Sequence, residues 1–188
     1  LTLQFITPPP LSAVPLCLSQ VSDPHKVSLL SQEIDTLLQK SAIEEVSLST
    51  LTPGFYSRLF LVPKKSGGMR PVFDLSILNN HLVIPRFKME TNRSIRAGIL
   101  PGIWTTSLDL QDAYFHVPIA QSYRKYLRFL WKDKVFQFKA LPFGLSTAPL
   151  VFTKIMQAAV AFLHSQAIQI HSYLDDSLLK NSSSCHLE

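Results

Sequence analysis

The stretch Tyr173-Leu174-Asp175-Asp176 places two adjacent carboxylates directly after an aromatic and an aliphatic residue. The apolar run from Ile168 to Leu174 predicts a β-strand, and Ser177 to Lys180 predicts a strand that returns antiparallel to it. This arrangement puts Asp175 and Asp176 at the turn of a hairpin. A string of this kind occurs by chance in roughly one chain in ten of this length, so it indicates a site only together with partners.

A third carboxylate, Asp109, lies 66 residues before Asp175, near the end of the run Trp104 to Leu110, which predicts a buried strand. Phosphoryl transfer from a nucleoside triphosphate can use two divalent ions about 4 Å apart. Carboxylates suit Mg²⁺, which prefers oxygen ligands. We therefore predict a site for two Mg²⁺ ions, with Mn²⁺ as an alternative, in which Asp109 and Asp175 bridge the ions. Asp176 is the third acidic group, and the Leu110 carbonyl is a backbone ligand.

The rest of the chain predicts alternating helices and hairpins. Residues 1 to 22 are rich in Pro and Ser without periodicity and predict an extended lead-in, followed by a helix from Asp23-Pro24 through Lys40. A hairpin with a basic tip follows, in which Tyr56 to Pro63 and Met69 to Asp74 flank the turn Lys64 to Gly68. Further predicted elements are a short helix over Thr91 to Leu100, a hairpin of Tyr126 to Trp131 and Val135 to Lys139 that turns at Lys132-Asp133-Lys134, and a helix from about Ala148 to Ser165.

Composition indicates a globular chain in a reducing compartment. The 188 residues are 46% hydrophobic, which is enough for one packed domain or part of a larger one. Cys17 and Cys185 have no metal-ligand spacing around them, so we predict neither a disulfide framework nor a zinc site. Prolines interrupt the apolar start, and no run approaches the roughly 20 apolar residues that span a bilayer. We therefore expect an intracellular protein without a membrane partner.

Positive charge is concentrated in the middle of the chain. The net charge is +5, but from Arg58 to Lys139 there are 14 Lys and Arg against 5 Asp and Glu. Such a patch attracts phosphates. The alternative is a solvated charged face. The acidic motifs favour nucleic-acid binding.

Five sequence blocks occur in the order that one known family shows. They are Leu61 to Leu75 with Leu78-Asn79, Ser107 to Phe115, Arg124 to Phe129, Leu141 to Gly144 with Ala148-Pro149 and Phe152, and Tyr173 to Asp176. From about Gly54 onward the chain thus resembles the reverse transcriptases. Together with Gly54 to Arg58, these blocks look most like the DIRS-type, tyrosine-recombinase retrotransposons of animals.

The resemblance implies an α+β, right-hand polymerase fold, with an antiparallel sheet and packed helices. In that fold, residues 1–25 are the lead-in, 26–83 and 117–147 the fingers, and 84–116 and 148–188 a partial palm. On this resemblance we expect no counterpart of the family's thumb within these 188 residues. The strand that ends at Leu174 and its return would then form an exposed edge of the sheet, which invites aggregation.

The family's nucleotide-binding roles carry over to matching positions. Lys65, with Lys64 as the competing choice, and Arg70 are expected to neutralise the triphosphate. Asp112 and the backbone of Ala113 are expected beside the triphosphate and sugar. The alternatives are a solvated hairpin for the three cations and a cap of the following turn for Asp112.

Other family positions concern the sugar, the base pair and the primer. Tyr114 matches the steric gate, a ring that would clash with a ribose 2′-hydroxyl; the alternative is a core aromatic. Phe143 replaces the retroviral glutamine, so any nucleotide contact must be packing. Gly144 permits close backbone approach, or is a plain turn glycine. The resemblance implies contacts to template or primer for Asp74, Asn79, Gly144, Pro149 and Tyr173.

The predicted activity is Mg²⁺-dependent, template-directed addition of deoxynucleotides to a primer 3′ end. Expected partners are an RNA or DNA template with primer, deoxynucleoside triphosphates and the rest of a polyprotein. One rival is a catalytically inactive, nucleic-acid-binding remnant without thumb and ribonuclease H regions. Another is a viral RNA-dependent polymerase, which Tyr114 and the YLDD string oppose. A plain structural protein is the fourth possibility.

Overall fold

The computed structural model describes residues 1–65, 67–88, 99 and 102–181. The chain combines helices with antiparallel sheets and divides into two compact units. Unit 1 comprises Leu1–Ile84 and Tyr114–Ala148, and unit 2 comprises Pro85–Ala113 and Pro149–Glu188. The predicted helix over Thr91 to Leu100 falls outside the described residues, Ile99 excepted. The assignment of fingers and palm stays a prediction.

The first 22 residues contain no helix or strand, and they are part of unit 1. Ser12 and Gly54 exchange two backbone hydrogen bonds of 2.8 and 2.9 Å, and Phe5 forms a bridge with Leu82. The side chain of Leu3 is only 4% exposed. The opening segment therefore contributes to the core of this unit, which the absence of periodicity did not predict.

Helix α1, Pro24–Gln39, confirms its prediction closely. The Asp23 carboxylate accepts hydrogen bonds from the backbone N–H groups of His25 and Lys26, which caps the helix start. Leu30, Ile34 and Leu37 recur at helical spacing and are buried. This face anchors the helix in unit 1.

Two antiparallel sheets form the rest of unit 1. The strands of unit 1 are β1 Ile43–Val46, β2 Arg58–Pro63, β3 Met69–Asp74, β5 Arg128–Trp131 and β6 Lys134–Phe138. A two-stranded sheet pairs β2 with β3, and a three-stranded sheet has the order β1-β6-β5. Both φ angles of the Lys132-Asp133 turn between β5 and β6 are positive, as a tight two-residue hairpin requires.

Short helical elements complete unit 1. They are α2 Ser76–Asn79, α3 Gln121–Arg124 and 3-10 turns at Leu48–Thr50 and Ala113–His116. Ala113, the first residue of the last turn, still belongs to unit 2.

A guanidinium lies inside unit 1. Arg128 is 4% exposed, and its side chain donates to the Thr52 carbonyl and to Gln137 Oε1 at 3.1 Å. Gln137 in turn donates to Glu44 at 2.8 Å, and Arg124 donates to the same carboxylate oxygen at 3.0 Å. Burial raises the pKa of Glu44, but the bonds from Gln137 and Arg124 outweigh it, so this pKa lies below its ordinary value. Arg124 and Arg128, two cations of the basic stretch, therefore bind groups within unit 1.

We expect Gly54→Ala to destabilise unit 1 by about 1 to 3 kcal/mol, the usual cost of overpacking. An added Cβ would lie 2.6 Å from Arg128 Nη1 and 2.9 Å from the Lys125 carbonyl oxygen. The guanidinium is held by its hydrogen bonds, and the carbonyl belongs to the backbone, so neither yields easily. Urea unfolding measures the effect, with Val14→Ala at an exposed position as the control. An unchanged free energy of unfolding in Gly54→Ala would contradict the packing.

Unit 2 contains helix α4, Ala148–Ser165, whose bounds match the prediction and whose first residue, Ala148, still belongs to unit 1. Its sheet consists of β4 Trp104–Asp109, β7 Gln169–Tyr173 and β8 Asp176–Asn181, in the antiparallel order β4-β8-β7. The predicted exposed edge is therefore wrong for the return strand: β8 lies in the centre, because β4 pairs with its other side.

The predicted burial of strand β4 is also wrong. Trp104 is 59% exposed and Leu108 is 48% exposed. Among the residues that the structure describes, the strand pairs only with β8, and the polar residues Thr105, Thr106 and Ser107 occupy its middle. Trp104 and Leu108, the two apolar residues of the strand, do not suffice to bury it.

Two further sequence expectations concern membranes and cysteines. None of the described helices is long and apolar enough to cross a membrane. Cys17 is exposed and carries a free thiol. Cys185 lies outside the described residues.

Candidate active site

The register of β4 and β8 brings two of the three predicted carboxylates together. Asp109 is the direct partner of Asp176 across the antiparallel pair. Side chains at directly opposed positions have Cβ atoms about 4.5 to 5.5 Å apart. The Leu110 N–H donates to the Asp175 carbonyl at 3.0 Å, which ties the third residue to the end of β4. The sheet therefore collects the predicted residues at one end.

The turn is formed by Leu174 and Asp175, because Asp176 already pairs with Tyr173 as the first residue of β8. The prediction that both aspartates lie at the turn is thus wrong by one residue. Leu174 adopts a φ of 55°, in the left-handed region that an aliphatic side chain rarely enters. This unusual backbone conformation immediately precedes Asp175.

The donor chemistry of this group fits a hard divalent cation. Three carboxylates and a backbone carbonyl are oxygen ligands of the kind that Mg²⁺ prefers. Asp109 and Asp176 are exposed, and Asp175 is half-buried. Within residues 1–65, 67–88, 99 and 102–181, no three His, Cys, Asp or Glu side chains converge closely enough to hold a metal ion. The pairing of β4 with β8 therefore places these residues at one end of the sheet, but their three carboxylate groups do not come together at a single point.

The predicted triphosphate contacts lie in unit 1, on the β2–β3 hairpin. Lys64 closes the turn through a 2.9 Å bond from its N–H to the Gly68 carbonyl, and Ser66 lies outside the described residues. Lys64, Lys65 and Arg70 are all exposed. Exposure agrees with phosphate binding and with a solvated hairpin, so the assignment stays a prediction.

Three aromatic rings cluster near the predicted steric gate. The Tyr114 ring is 8% exposed and lies 4.9 Å from the Phe143 ring, centroid to centroid. Phe115 lies 5.6 Å from Phe143 in an edge-to-face arrangement. Tyr114 therefore has the burial of a core aromatic, while Phe143 keeps 53% of its surface exposed. Ala113, which precedes the cluster, is 3% exposed, and Asp112 has a positive φ of 55°.

Two predicted template contacts make bonds within unit 1. Asn79 Nδ2 donates to the Gly144 carbonyl at 2.9 Å, and Asn79 Oδ1 accepts from the Ser146 N–H at 2.9 Å. Asp74 accepts hydrogen bonds from the Ser76 hydroxyl and the Ser76 N–H, which hold the pKa of Asp74 below its ordinary value. Gly144 has a φ of 91°, so it is a turn glycine whatever else it contacts.

The remaining template and primer candidates lie at element ends. Pro149 is the second residue of α4, where its missing N–H costs nothing. Tyr173 ends β7 and is 39% exposed. These two positions and the carboxylates belong to unit 2.

A family model described as "Reverse transcriptase (RNA-dependent DNA polymerase)" matches residues 62–188, more than half of the chain. The chain belongs to the reverse transcriptase family. The predicted family is thereby confirmed, while the DIRS-type subgroup stays a proposal.

Relatives of this reverse transcriptase domain are polyproteins of mobile elements and retroviruses. The chain is 26% identical over 160 residues to the Transposon Tf2-3 polyprotein of Schizosaccharomyces pombe, covering 85% of the chain and 12% of the relative. It is also 26% identical over 171 residues to the Pol polyprotein of equine infectious anemia virus, with 85% of the chain and 14% of the relative covered. The reverse transcriptase domain thus spans about an eighth of these polyproteins.

The fold of the reverse transcriptase domain also matches a solved structure. The crystal structure of the prototype foamy virus protease-reverse transcriptase aligns with a TM-score of 0.74 at 21% sequence identity, over 98% of this chain and 24% of that one. A mixed helix-and-sheet polymerase fold is therefore confirmed.

Sequence reasoning missed what three residues of this reverse transcriptase do. Arg128 belongs to the block Arg124 to Phe129, and nothing in the neighbouring sequence indicates that its side chain is buried. Phe115 and Ser146 were not singled out, although one packs against Phe143 and the other bonds Asn79. Contacts between positions 67 residues apart leave no local trace in a single sequence.

Proposed function

We propose that this chain is the polymerase part of a retroelement polyprotein and adds deoxynucleotides to a primer 3′ end under the direction of an RNA or DNA template. The observation that supports it best is the pairing of Asp109 with Asp176, together with the Leu110 bond to Asp175. A two-metal phosphoryl transfer needs oxygen ligands held close together, and the β4–β8 pairing holds these residues at one end of the sheet. Within the family, the sequence favours the DIRS-type retrotransposons.

Asp109 and Asp175 would bridge two Mg²⁺ ions, or Mn²⁺ ions, with Asp176 and the Leu110 carbonyl as further oxygen ligands. Bound divalent ions supply charge neutralisation at the phosphates and acidify the attacking hydroxyl. The chain's own part is to hold the carboxylates in register. Binding of cation and nucleotide would then draw the exposed side chains of Asp109 and Asp176 together.

The cations of the β2–β3 hairpin act on the triphosphate in this proposal. Lys65, or Lys64 in its place, provides a point charge, and Arg70 provides a planar fork that matches phosphate oxygens. Asp112 and the Ala113 backbone lie beside the triphosphate and the sugar, and Tyr114 excludes the ribose 2′-hydroxyl. Template and primer would be contacted by the five positions Asp74, Asn79, Gly144, Pro149 and Tyr173.

A second candidate is nucleic-acid binding without catalysis. The side chains of the carboxylate group have not converged among the described residues, and the basic excess alone suffices for binding to phosphates. The basic excess is smaller at the surface than the sequence count suggests. Arg128 is buried, Arg124 pairs with Glu44, and Lys134 pairs with Glu45 at 2.9 Å.

Primer extension separates the two candidates. The chain, alone and within its longer polyprotein, is given a DNA primer on an RNA template with Mg²⁺ and the four deoxynucleotides. We expect incorporation that follows the template base and stops when EDTA removes the metal. Template binding without incorporation by either protein would support the binding module instead, and incorporation that ignores the template base would contradict both.

A further inference from the structure

Asn79 joins two parts of unit 1 that are far apart in sequence. Its side-chain Nδ2 donates a hydrogen bond to the Gly144 carbonyl, and its Oδ1 accepts one from the Ser146 N–H, both at 2.9 Å. A carboxamide can donate from its nitrogen to one backbone group while its oxygen accepts from another. Asn79 ends helix α2, and the preceding residue, Leu78, is completely buried. The amide is therefore attached to a fixed support.

The segment that Asn79 holds, Phe143 to Ser146, depends on such a support. Gly144 has a positive φ of 91°, and a glycine samples this region and the ordinary regions with similar ease. A Cβ at Gly144 would find its nearest atom, the Phe73 carbonyl oxygen, only at 3.6 Å, so close packing does not restrain the backbone there. Leu145, in the middle of the segment, is 2% exposed, so packing holds the segment as well, and the two bonds to Asn79 fix the backbone on either side of Leu145.

This segment carries the ring that lies against Tyr114. Phe143 has its centroid 4.9 Å from that of Tyr114, yet half of the Phe143 side chain is exposed. An aromatic pair of this kind contributes only a modest attraction. Phe143 has no polar atom in its side chain, so its ring is positioned by packing against Tyr114 and Phe115 and by the backbone that Asn79 bonds one residue later.

We propose that Asn79 is a positioning residue for sugar selection: by fixing the Phe143 to Ser146 segment, it keeps the Phe143 ring behind Tyr114. The proposal rests on the proposed function, in which Tyr114 excludes the ribose 2′-hydroxyl. A ring discriminates by collision only if it cannot move aside. Loss of the support behind Tyr114 therefore relaxes discrimination without touching the nucleotide.

The test compares the selectivity of Asn79→Ala, Asn79→Asp and the unchanged protein, each in the longer polyprotein. The quantity is kcat/KM for a deoxynucleotide divided by kcat/KM for the matching ribonucleotide. We expect Asn79→Ala to lower this ratio about 10-fold, the equivalent of losing one net hydrogen bond. Asn79→Asp keeps the acceptor for Ser146 but loses the donor to Gly144, so its ratio falls less. Asn80→Ala, at the neighbouring exposed asparagine, should leave the ratio unchanged.

A double substitution distinguishes support of Tyr114 from a general structural role. In a Tyr114→Ala background the gate is already gone, so Asn79→Ala should cause little further loss of selectivity. Equal losses for both nucleotides would overturn the proposal in favour of general destabilisation. Weaker template binding at constant selectivity would overturn it in favour of a template contact.

Amide hydrogen exchange tests the same support without any reaction. The Ser146 N–H should exchange about 10-fold faster in Asn79→Ala than in Asn80→Ala, because its acceptor is removed. An unchanged exchange rate of the Ser146 N–H would contradict the role of Asn79 but would not affect the proposed function. Conversely, faster exchange in a protein that incorporates no deoxynucleotide would show that the proposed function had failed, and the role in sugar selection with it.

Discussion

Replacing Asp109 by asparagine is expected to lower deoxynucleotide incorporation by at least about 10³-fold, while the fold stays intact. A ligand carboxylate contributes several kcal/mol to a transition state stabilised by metal ions, and each 1.36 kcal/mol is about a factor of ten in rate. Asparagine has nearly the same shape as aspartate but carries no charge. Because Asp109 is exposed, the substitution leaves packing undisturbed.

Asp133→Asn is the matched control for this prediction. Asp133 is also an exposed aspartate, but it lies in the β5–β6 turn of the other unit. Single-nucleotide incorporation on the RNA template and template binding are measured for both variants. The expected pattern is loss of incorporation with binding retained for Asp109→Asn, and no change for Asp133→Asn. Comparable rates for the two variants would refute the role of Asp109.

The elements predicted best are those with local determinants. The Asp23 cap and the spacing of Leu30, Ile34 and Leu37 define α1 within a few residues, and the Lys132-Asp133 turn defines the second hairpin. The carboxylate group was predicted from the paired aspartates and from Asp109 at the end of a strand, and the β4–β8 register places Asp109 opposite Asp176.

What the sequence did not predict depends on pairing between distant segments. The central position of β8 follows from its second partner, β4, which lies about 70 residues earlier in the chain. Burial of Arg128 follows from acceptors on Thr52 and Gln137 that no periodicity connects. The engagement of Asn79 with Gly144 is of the same kind. Single-sequence reasoning captures local preference and misses these choices of partner.

Phe129→Ala is expected to reduce the free energy of unfolding of unit 1 by about 3 to 5 kcal/mol. Phe129 is 1% exposed and lies among three other rings, with centroids 4.8 Å away at Phe73, 5.4 Å at Phe136 and 6.0 Å at Phe138. Truncation removes the central ring and leaves a cavity that its neighbours, fixed on strands β3 and β6, cannot fill. Domains are commonly stable by only about 5 to 15 kcal/mol, so the loss is a large share.

Tryptophan fluorescence reports this loss for unit 1 alone. Trp131 is 8% exposed in unit 1, and replacing the exposed Trp104 of unit 2 by phenylalanine leaves it as the single tryptophan of the chain. Phe162→Ala, at a phenylalanine that is 64% exposed on α4, should change the urea midpoint little. Equal midpoints for Phe129→Ala and Phe162→Ala would contradict the aromatic core. A lower midpoint for Phe129→Ala alone would show that its effect is on folding, in contrast to Asp109→Asn, where incorporation is expected to fall while the protein stays folded.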